Sequence, residues 1–357
     1  MPRPSEANAT SEHVLRLLKD SFHLTENGLI LDNDEQGWFV WNVTDFHRWW
    51  LSIETNTGLP LGRKLLNAAA DHEEFLLSKG STLDVGWFRS RRKQQAAIHK
   101  RWLLHGWGSF DIATSLITSS VFAPLCSGFS LATRELLDAK RLRVQWRQFS
   151  NSQIQLELED AQRAFIPAPD PPEFIWNTAK PKVKIQNELE LDLEVVSNGW
   201  AHAGERCCMI PVGVFTRFFE TLSSQGIQLR PQWLDCWEFG AEFTDTVRVP
   251  LILTALAVDE MVSRGEQPIY IQGVESWNTL CAAYLKPFGF GLPLRIQESD
   301  RSGGVVFTLE SCSQFPMLVG YLFSFWQRAH GRKAKISIQS EGTNWSVTIT
   351  SLLSYVE

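Results

Sequence analysis

The sequence contains no CxxC pair, and its six cysteines stand singly or as the adjacent pair Cys207 and Cys208. That spacing argues against a disulfide framework and fits a reducing compartment. Long apolar runs are missing too: PLILTALAV at 250–258 and MLVGYLFSFW at 317–326 fall well short of the roughly 20 residues that a membrane-spanning helix needs. The opening residues, MPRPSEANATSEH, carry no apolar stretch of the kind that directs export. These absences point to a cytoplasmic protein with no membrane insertion. Positive charge is not in excess, since 34 Lys and Arg face 40 Asp and Glu for a net −6. No global basic field is therefore expected to hold a phosphate backbone, and nucleic acid is not an expected partner. P-loop, dinucleotide-binding, HExxH and GxSxG motifs are absent, so no catalytic residue, cofactor or metal is assigned by motif.

What the chain has in excess is large aromatic residues, with 15 Trp and 22 Phe in 357 residues. Apolar residues at 44% and charged residues at 21% form an ordinary globular mix, and the length suits two domains.

An internal repeat is visible by eye. PLCSGFSLATRELLDAKRLRVQW (124–146) lies without a gap over PMLVGYLFSFWQRAHGRKAKISI (316–338), pairing Pro124 with Pro316 and Gly128 with Gly320. Leu142, Val144 and Trp146 alternate with polar residues as Ala334, Ile336 and Ile338 do, the period-2 pattern of a half-buried strand. Upstream, HGWGSF (105–110) matches FGFGLP (288–293), and FHRWW (46–50) matches FTRFF (215–219). A further pairing sets GLPLGRKLL (58–66) against GIQLRPQWL (226–234), with Glu74-Phe75 falling on Glu242-Phe243.

The repeat predicts an α+β fold built of two tandem copies of a domain of helices and antiparallel sheet, each ending in hairpin, helix and hairpin. An N-terminal helical segment at 1–20 precedes copy one at 21–160, and copy two occupies 180–357. Between them, 161–179 contains AFIPAPDPPEF, whose prolines can continue neither helix nor central strand, and reads as a linker. Early strands are expected in GLILDN with GWFVWNV and in KVKIQ with LELDLEVV. Gly106, Gly108, Gly289 and Gly291 are assigned to helix-ending turns, and Gly128 and Gly320 to close helix packing. Duplication of a self-pairing domain predicts a covalent pseudo-dimer.

Candidate chemistry is sparse. DHEE at 71–74 groups carboxylates with a histidine, but four consecutive residues fan out around a helix, so a solvated face is expected. The basic run FRSRRKQQAAIHKR at 88–101 is likewise expected to be a wet helix face. His202 with Cys207 and Cys208 has awkward spacing for a tetrahedral metal site, and free cysteine usually behaves as a small buried hydrophobe. The tryptophans fill cores or line ligand cavities. A pocket is placed near the Gly-aromatic-Gly turn and the late helix, with Trp107, Cys126, Trp146, Phe290 and Trp326. The late helix of copy two is apolar on every side until Gln327, so Tyr321, Phe323 and Phe325 are assigned to an interface, with copy one, a second chain or another partner.

The order of helices, Gly-aromatic-Gly turn, hairpin, glycine-bearing helix and closing hairpin resembles the 4-vinyl reductase domain family. That family is related to small subunits of the TRAPP transport particle and to aromatic-sensing input domains of bacterial activators. The resemblance implies a buried apolar cavity between helices and sheet and a tendency of such domains to pair. Many sensing members hold zinc with a cysteine at the start of the late helix and two in the closing hairpin. Cys126 stands at the first position here, but the hairpin RVQWRQFSNSQIQLELE has no cysteine and copy two has Leu318 in place of Cys126, so a four-ligand zinc site is not supported. The expectation is a non-catalytic intracellular sensor of a small apolar or aromatic molecule, signalling through a protein partner or a homo-oligomer. A ligand-free assembly scaffold and an enzyme of unfamiliar type are the alternatives.

Overall fold

The computed structural model describes residues 4–84, 90–150, 152–178, 185–187, 189, 191–265 and 268–353. The fold is α+β. Helix α1 (Pro4–Ser21) leads into β1 (Phe22–Thr25), β2 (Ile30–Asp32) and β3 (Gly37–Asn42). Helices α2 (Val43–Thr57), α3 (Gly62–Lys79) and α4 (Ser90–His105) follow, then the hairpin β4 (Ser109–Asp111) and β5 (Leu116–Thr118), helix α5 (Ala123–Asp138), and the hairpin β6 (Leu142–Ser150) and β7 (Gln153–Asp160). The second half has β8 (Ile185–Asn187), β9 (Leu193–Val196), β10 (Gly199–His202) and β11 (Glu205–Pro211), then α6 (Val212–Ser224), α7 (Pro231–Leu234), β12 (Trp237–Phe239), α8 (Asp245–Ser263) and α9 (Val274–Tyr284). A 3-10 turn at Lys286–Phe288, β13 (Arg295–Glu298), β14 (Val305–Glu310), α10 (Phe315–His330), β15 (Ala334–Glu341) and β16 (Asn344–Ser351) complete it.

From β1 onward the order of elements in the first half recurs in the second, where β8, α7, β12 and the 3-10 turn are additional; α1 has no counterpart there. The terminal sheets run β4-β5-β7-β6 and β13-β14-β16-β15, the latter extended at its β15 edge by β12, which pairs in parallel. Between them the early strands of both halves form one sheet, β8-β1-β2-β3-β11-β10-β9. Its centre is the antiparallel pair β3 and β11, with Val40 opposite Met209 and Trp41 opposite Cys208. Helix contacts cross the same line: α2 packs on α8, and α6 packs on α3.

Local chemistry sets these elements. Asn42 ends β3 and starts α2 by accepting hydrogen bonds from the Thr44 and Asp45 amides. Gly128 in α5 lies where a Cβ would sit 2.7 Å from Ala69 Cβ on α3. At Gly320 in α10 a Cβ would sit 2.8 Å from Val258 Cβ and 2.9 Å from Ala255 Cα on α8. Both late helices thus press backbone to backbone on the long helix of their own half.

Two expectations need correction. The strands that match β2 and β3 are β10 and β11, not KVKIQ with LELDLEVV; residues 181–184 of that stretch lie outside the described residues. The match of Glu74-Phe75 with Glu242-Phe243 also fails, because Glu74 is buried in α3 while Glu242 lies in a loop, where its carboxylate accepts the Ser340 amide at 2.8 Å. The long helix of half two that corresponds to α3 is α8.

The turn glycines divide into two kinds. Gly106 directly follows α4 and Gly289 caps the 3-10 turn, as helix-ending glycines should. Gly108 and Gly291 end no helix; each lies two residues further on, past the aromatic residue, with φ +105° and +93°. A Cβ on Gly108 would collide with the Thr118 and Ser119 carbonyls beside β5, so this glycine lets the chain enter the β4–β5 hairpin. Gly291 instead donates its N–H to the Gly28 carbonyl at 3.0 Å, tying the second half's turn to the β1–β2 loop of the first.

The proline segment, finally, is a strap rather than a free tether. Ala168 N–H donates to Glu74 at 2.8 Å, Arg217 donates to the Pro169 carbonyl at 2.5 Å, and Trp176 is fully buried between Phe174 and Phe315. No helix among the described residues is long and apolar enough to cross a membrane.

Candidate functional site

Central strand β3 carries Trp38, Phe39, Val40 and Trp41 in succession, all buried, as expected of a strand covered on both faces. Where β3 gives way to α2, the β10–β11 hairpin and the ends of α8, α9 and α10 converge around a cavity of about 480 Å3. Its apolar wall comprises Trp41, Tyr284, Phe288, Phe290, Tyr321 and Phe325. The rings touch in series: Trp41 to Phe290 at 5.6 Å, Phe290 to Tyr321 at 4.7 Å, Tyr321 to Phe325 at 5.7 Å and Phe325 to Tyr284 at 6.1 Å. Strand residues of half one and helix residues of half two therefore share one wall.

Polar groups gather at the other side. Asp45, in the first turn of α2, pairs with Arg48 at 3.1 Å. Burial pushes its carboxyl up from the usual range, Arg48 opposes that, and the nearby Glu205 carboxylate adds to it. Among the described residues Glu205 has no ion-pair partner and the Tyr321 hydroxyl no hydrogen-bond partner, although Tyr321 is only 8% exposed. Burial, with Asp45 contributing, holds that phenol well above its ordinary pKa, so it remains a donor. His202 binds the Asp192 carbonyl at 2.9 Å and sets its ring edge on Phe288. Arg328 donates to the Val262 and Gly265 carbonyls, at 2.7 and 2.9 Å, at the C-terminal end of α8.

The residues that the sequence repeat pairs with Phe290 and Tyr321 are Trp107 and Phe129, and in the first half these lie in a closed ring stack. Trp38, His105, Trp107 and Phe129 form a column of stacked rings with successive centroid distances of 4.6, 4.6 and 3.9 Å. The Trp107 indole N–H donates to the Met209 carbonyl at 2.7 Å. Arg101 closes the flank with a two-pronged pair to the fully buried Glu73, at 2.6 and 2.7 Å.

Of the residues assigned to a pocket by sequence, Phe290 lines the cavity. Trp107 fills half one, and the buried Cys126 thiol points its hydrogen at the Trp107 carbonyl, 3.6 Å away. Trp146 lies under the Arg63 guanidinium at 4.8 Å, and Trp326 donates to the Gly303 carbonyl at 2.7 Å. Tyr321, Phe323 and Phe325 are covered within the chain itself. Phe323 packs on Trp237 of the added strand β12, whereas Tyr321 and Phe325 belong to the cavity wall.

The DHEE segment is not a solvated face. His72, Glu73 and Glu74 are buried, Glu74 is bound by Arg141 at 2.5 Å, and Arg141 also holds Glu135 at 2.5 Å. The side chains still diverge, each to its own partner, as their spacing requires. Within the basic run, Arg91, Arg92, Lys93 and Lys100 are exposed while Arg101 is drawn inward by Glu73; Arg89 lies outside the described residues. Cys207 and Cys208 are successive residues of a strand and face opposite ways, and burial raises both thiols, Cys207 to about 11. Among the described residues no group of three or more His, Cys, Asp or Glu is placed to hold a metal ion.

Comparison with known proteins gives no matching family, curated protein or solved structure.

Proposed function

We propose that this chain is a binding protein for a small aromatic or apolar molecule, held between its halves and sensed by a partner, rather than a catalyst. The observation that carries this is the aromatic-walled cavity of about 480 Å3, a volume suited to a small ligand. The contrast between halves supports it. One position is packed shut by Trp107, while the corresponding one is left open behind smaller Phe290. A ligand there touches β3 and α2 of half one and α8, α9 and α10 of half two at once, which gives it leverage over how the halves meet. The repeated element order, with its resemblance to the 4-vinyl reductase domain family, agrees with such a role, and tandem duplication of one domain is part of the same proposal.

Benzyl alcohol, an uncharged aromatic probe, tests it by titration calorimetry alongside native mass spectrometry of the purified chain. Binding is expected to the unaltered chain and to be lost in Val262→Trp, which places an indole from the half-buried rim into the cavity. If benzyl alcohol does not bind and no small molecule is retained, the proposal fails and a ligand-free scaffold takes its place.

A further inference from the structure

We infer that strand β6 of the first half takes up an extended acidic segment of a partner protein as an added parallel strand; this goes beyond the binding role proposed above and does not depend on it. β6 is the outer strand of β4-β5-β7-β6 and is bonded along its length on the β7 side alone. The Ala161 amide donates to the Arg141 carbonyl at 2.9 Å, which sets the phase of the ladder. Arg143, Gln145 and Arg147 exchange bonds with β7, while Val144 and Trp146 turn their N–H and C=O groups outward. Of these four outward groups the Val144 carbonyl alone has a partner among the described residues, the Arg63 guanidinium at 2.7 Å. An edge with free backbone groups is a template for another strand.

The second half shows what covers such an edge. Strand β15, which the repeat sets on β6, carries β12 in parallel. Ile336 and Ile338 match Val144 and Trp146. The Ile336 amide donates to the Cys236 carbonyl at 2.8 Å, and the Ile338 carbonyl accepts from the Gly240 amide at 2.9 Å. Glu238 of β12 pairs with Lys335 at 2.5 Å, and Arg143, which is exposed, stands at the place of Lys335. An acidic residue is therefore called for at the matching position of an added strand. Trp237 and Phe239 flank Glu238 opposite Ile336 and Ile338, so apolar residues there would lie beside Val144 and the half-buried Trp146. Among the described residues the first half has no strand in the place of β12.

Charge decides the occupant. An added strand lies about 4.8 Å from β6 and about twice as far from β7. Arg147 leans back to Glu157 at 3.2 Å, whereas Arg143, opposite Glu159, is in no ion pair among the described residues. Arg143 and Arg63 are thus the charges nearest the newcomer, and they favour an acidic one. A second copy of β6, laid antiparallel about Gln145, would set Arg143 against Arg147 twice over, and like charges directly opposite are destabilising.

The probe is an end-blocked, fluorescein-labelled peptide with the sequence of residues 235–242, serine replacing Cys236, titrated into the full chain by anisotropy and followed by amide NMR. It is expected to bind and to shift the Val144 and Trp146 amides while those of Ile336 and Ile338 stay unmoved. Lysine in place of its central glutamate should weaken binding about fivefold. In the Arg143→Glu chain the order of the two peptides should reverse, and binding of the lysine peptide shows that this variant is folded. No binding at millimolar peptide, shifts on β15 instead of β6, equal affinity of the two peptides, or no reversal in Arg143→Glu overturns the proposal. So does a chain that sediments as a dimer with its β6 amides protected from exchange, because the occupant would then be a second copy.

Discussion

Trp107 of the first half donates its indole N–H to the carbonyl of Met209 in the second, at 2.7 Å, and both residues are fully buried. Met209 lies opposite Val40 in the central strand pair, so the turn after α4 is fastened to the strand that joins the halves. Gly106, beside Trp107, has φ +72°, and a Cβ there would meet the Cys207 carbonyl at 2.9 Å. Its counterpart Gly289, with φ +78°, would meet the Trp38 carbonyl at 2.6 Å. Each half thus lays a glycine turn against the other half's central strand.

Trp107→Phe keeps an aromatic ring in the stack but leaves the Met209 carbonyl without its donor. An unsatisfied buried acceptor and the lost ring volume should cost about 1–3 kcal/mol in denaturant unfolding. Because Trp107 is not on the cavity wall, binding of benzyl alcohol should be unchanged. An unaltered midpoint would show that the turn is not held through this bond.

Gly320→Ala adds one methyl group 2.8 Å from Val258 Cβ and 2.9 Å from Ala255 Cα, closer than carbon atoms pack. Alanine favours a helix over glycine by up to about 1 kcal/mol, yet separating α10 from α8 should outweigh that gain and leave a net loss of about 1–2 kcal/mol. Gly128→Ala should behave alike, since its new methyl group would fall 2.7 Å from Ala69 Cβ. Thermal unfolding midpoints of the two variants check this; a rise in either would mean that the late helix moves away without cost.

The late elements were legible because their periodicity is unambiguous. Leu142, Val144 and Trp146 alternate along an edge strand, and the stretch from Phe315 to Trp326 is apolar on every side, so strand and buried helix follow from the pattern alone. The central strand β11 was not legible for the opposite reason. Cys207, Cys208, Met209 and Ile210 form a continuous apolar run with no alternation, which drew attention to the thiols instead of to the strand. Gly108 and Gly291 were legible as turn residues but not in what they do, because the carbonyls and loop they approach lie outside the local sequence. The cavity was half legible. Phe290 belongs to a repeated turn, but Asp45, His202 and Glu205 come from segments remote in sequence that meet only through the β3–β11 pair. The buried carboxylates of α3 were missed because Glu73 and Glu74 depend on Arg101 and Arg141, 28 and 67 residues away, for their neutralisation.

Two buried histidines should make the fold sensitive to acid. His72 lies against Phe75 and Gly213, with neither ring nitrogen partnered among the described residues, and burial, reinforced by Arg217 and Arg101, lowers its pKa to about 3. His105, stacked between Trp38 and Trp107, is held well below its ordinary value by burial and by Arg101. Both are neutral in the native state and protonate near pH 6.5 when unfolded. The unfolded chain therefore binds more protons below that pH. The stability present above it should fall as the pH drops below about 6.5, for His72 down to about 3, approaching about 1.4 kcal/mol per pH unit for each histidine. Carboxyls that burial pushes up, Glu73 with Asp32, Asp45, Asp71, Glu135 and Asp259, act in the opposite sense, so the difference between the unaltered chain and a histidine variant isolates the histidine part of the slope. Urea unfolding at steps from pH 7.5 to 5.0 measures that slope, and His72→Gln should remove about half of it. If His72→Gln leaves the slope unchanged, His72 takes up its proton in the folded protein and the dry packing between α3 and α6 is not what holds it neutral.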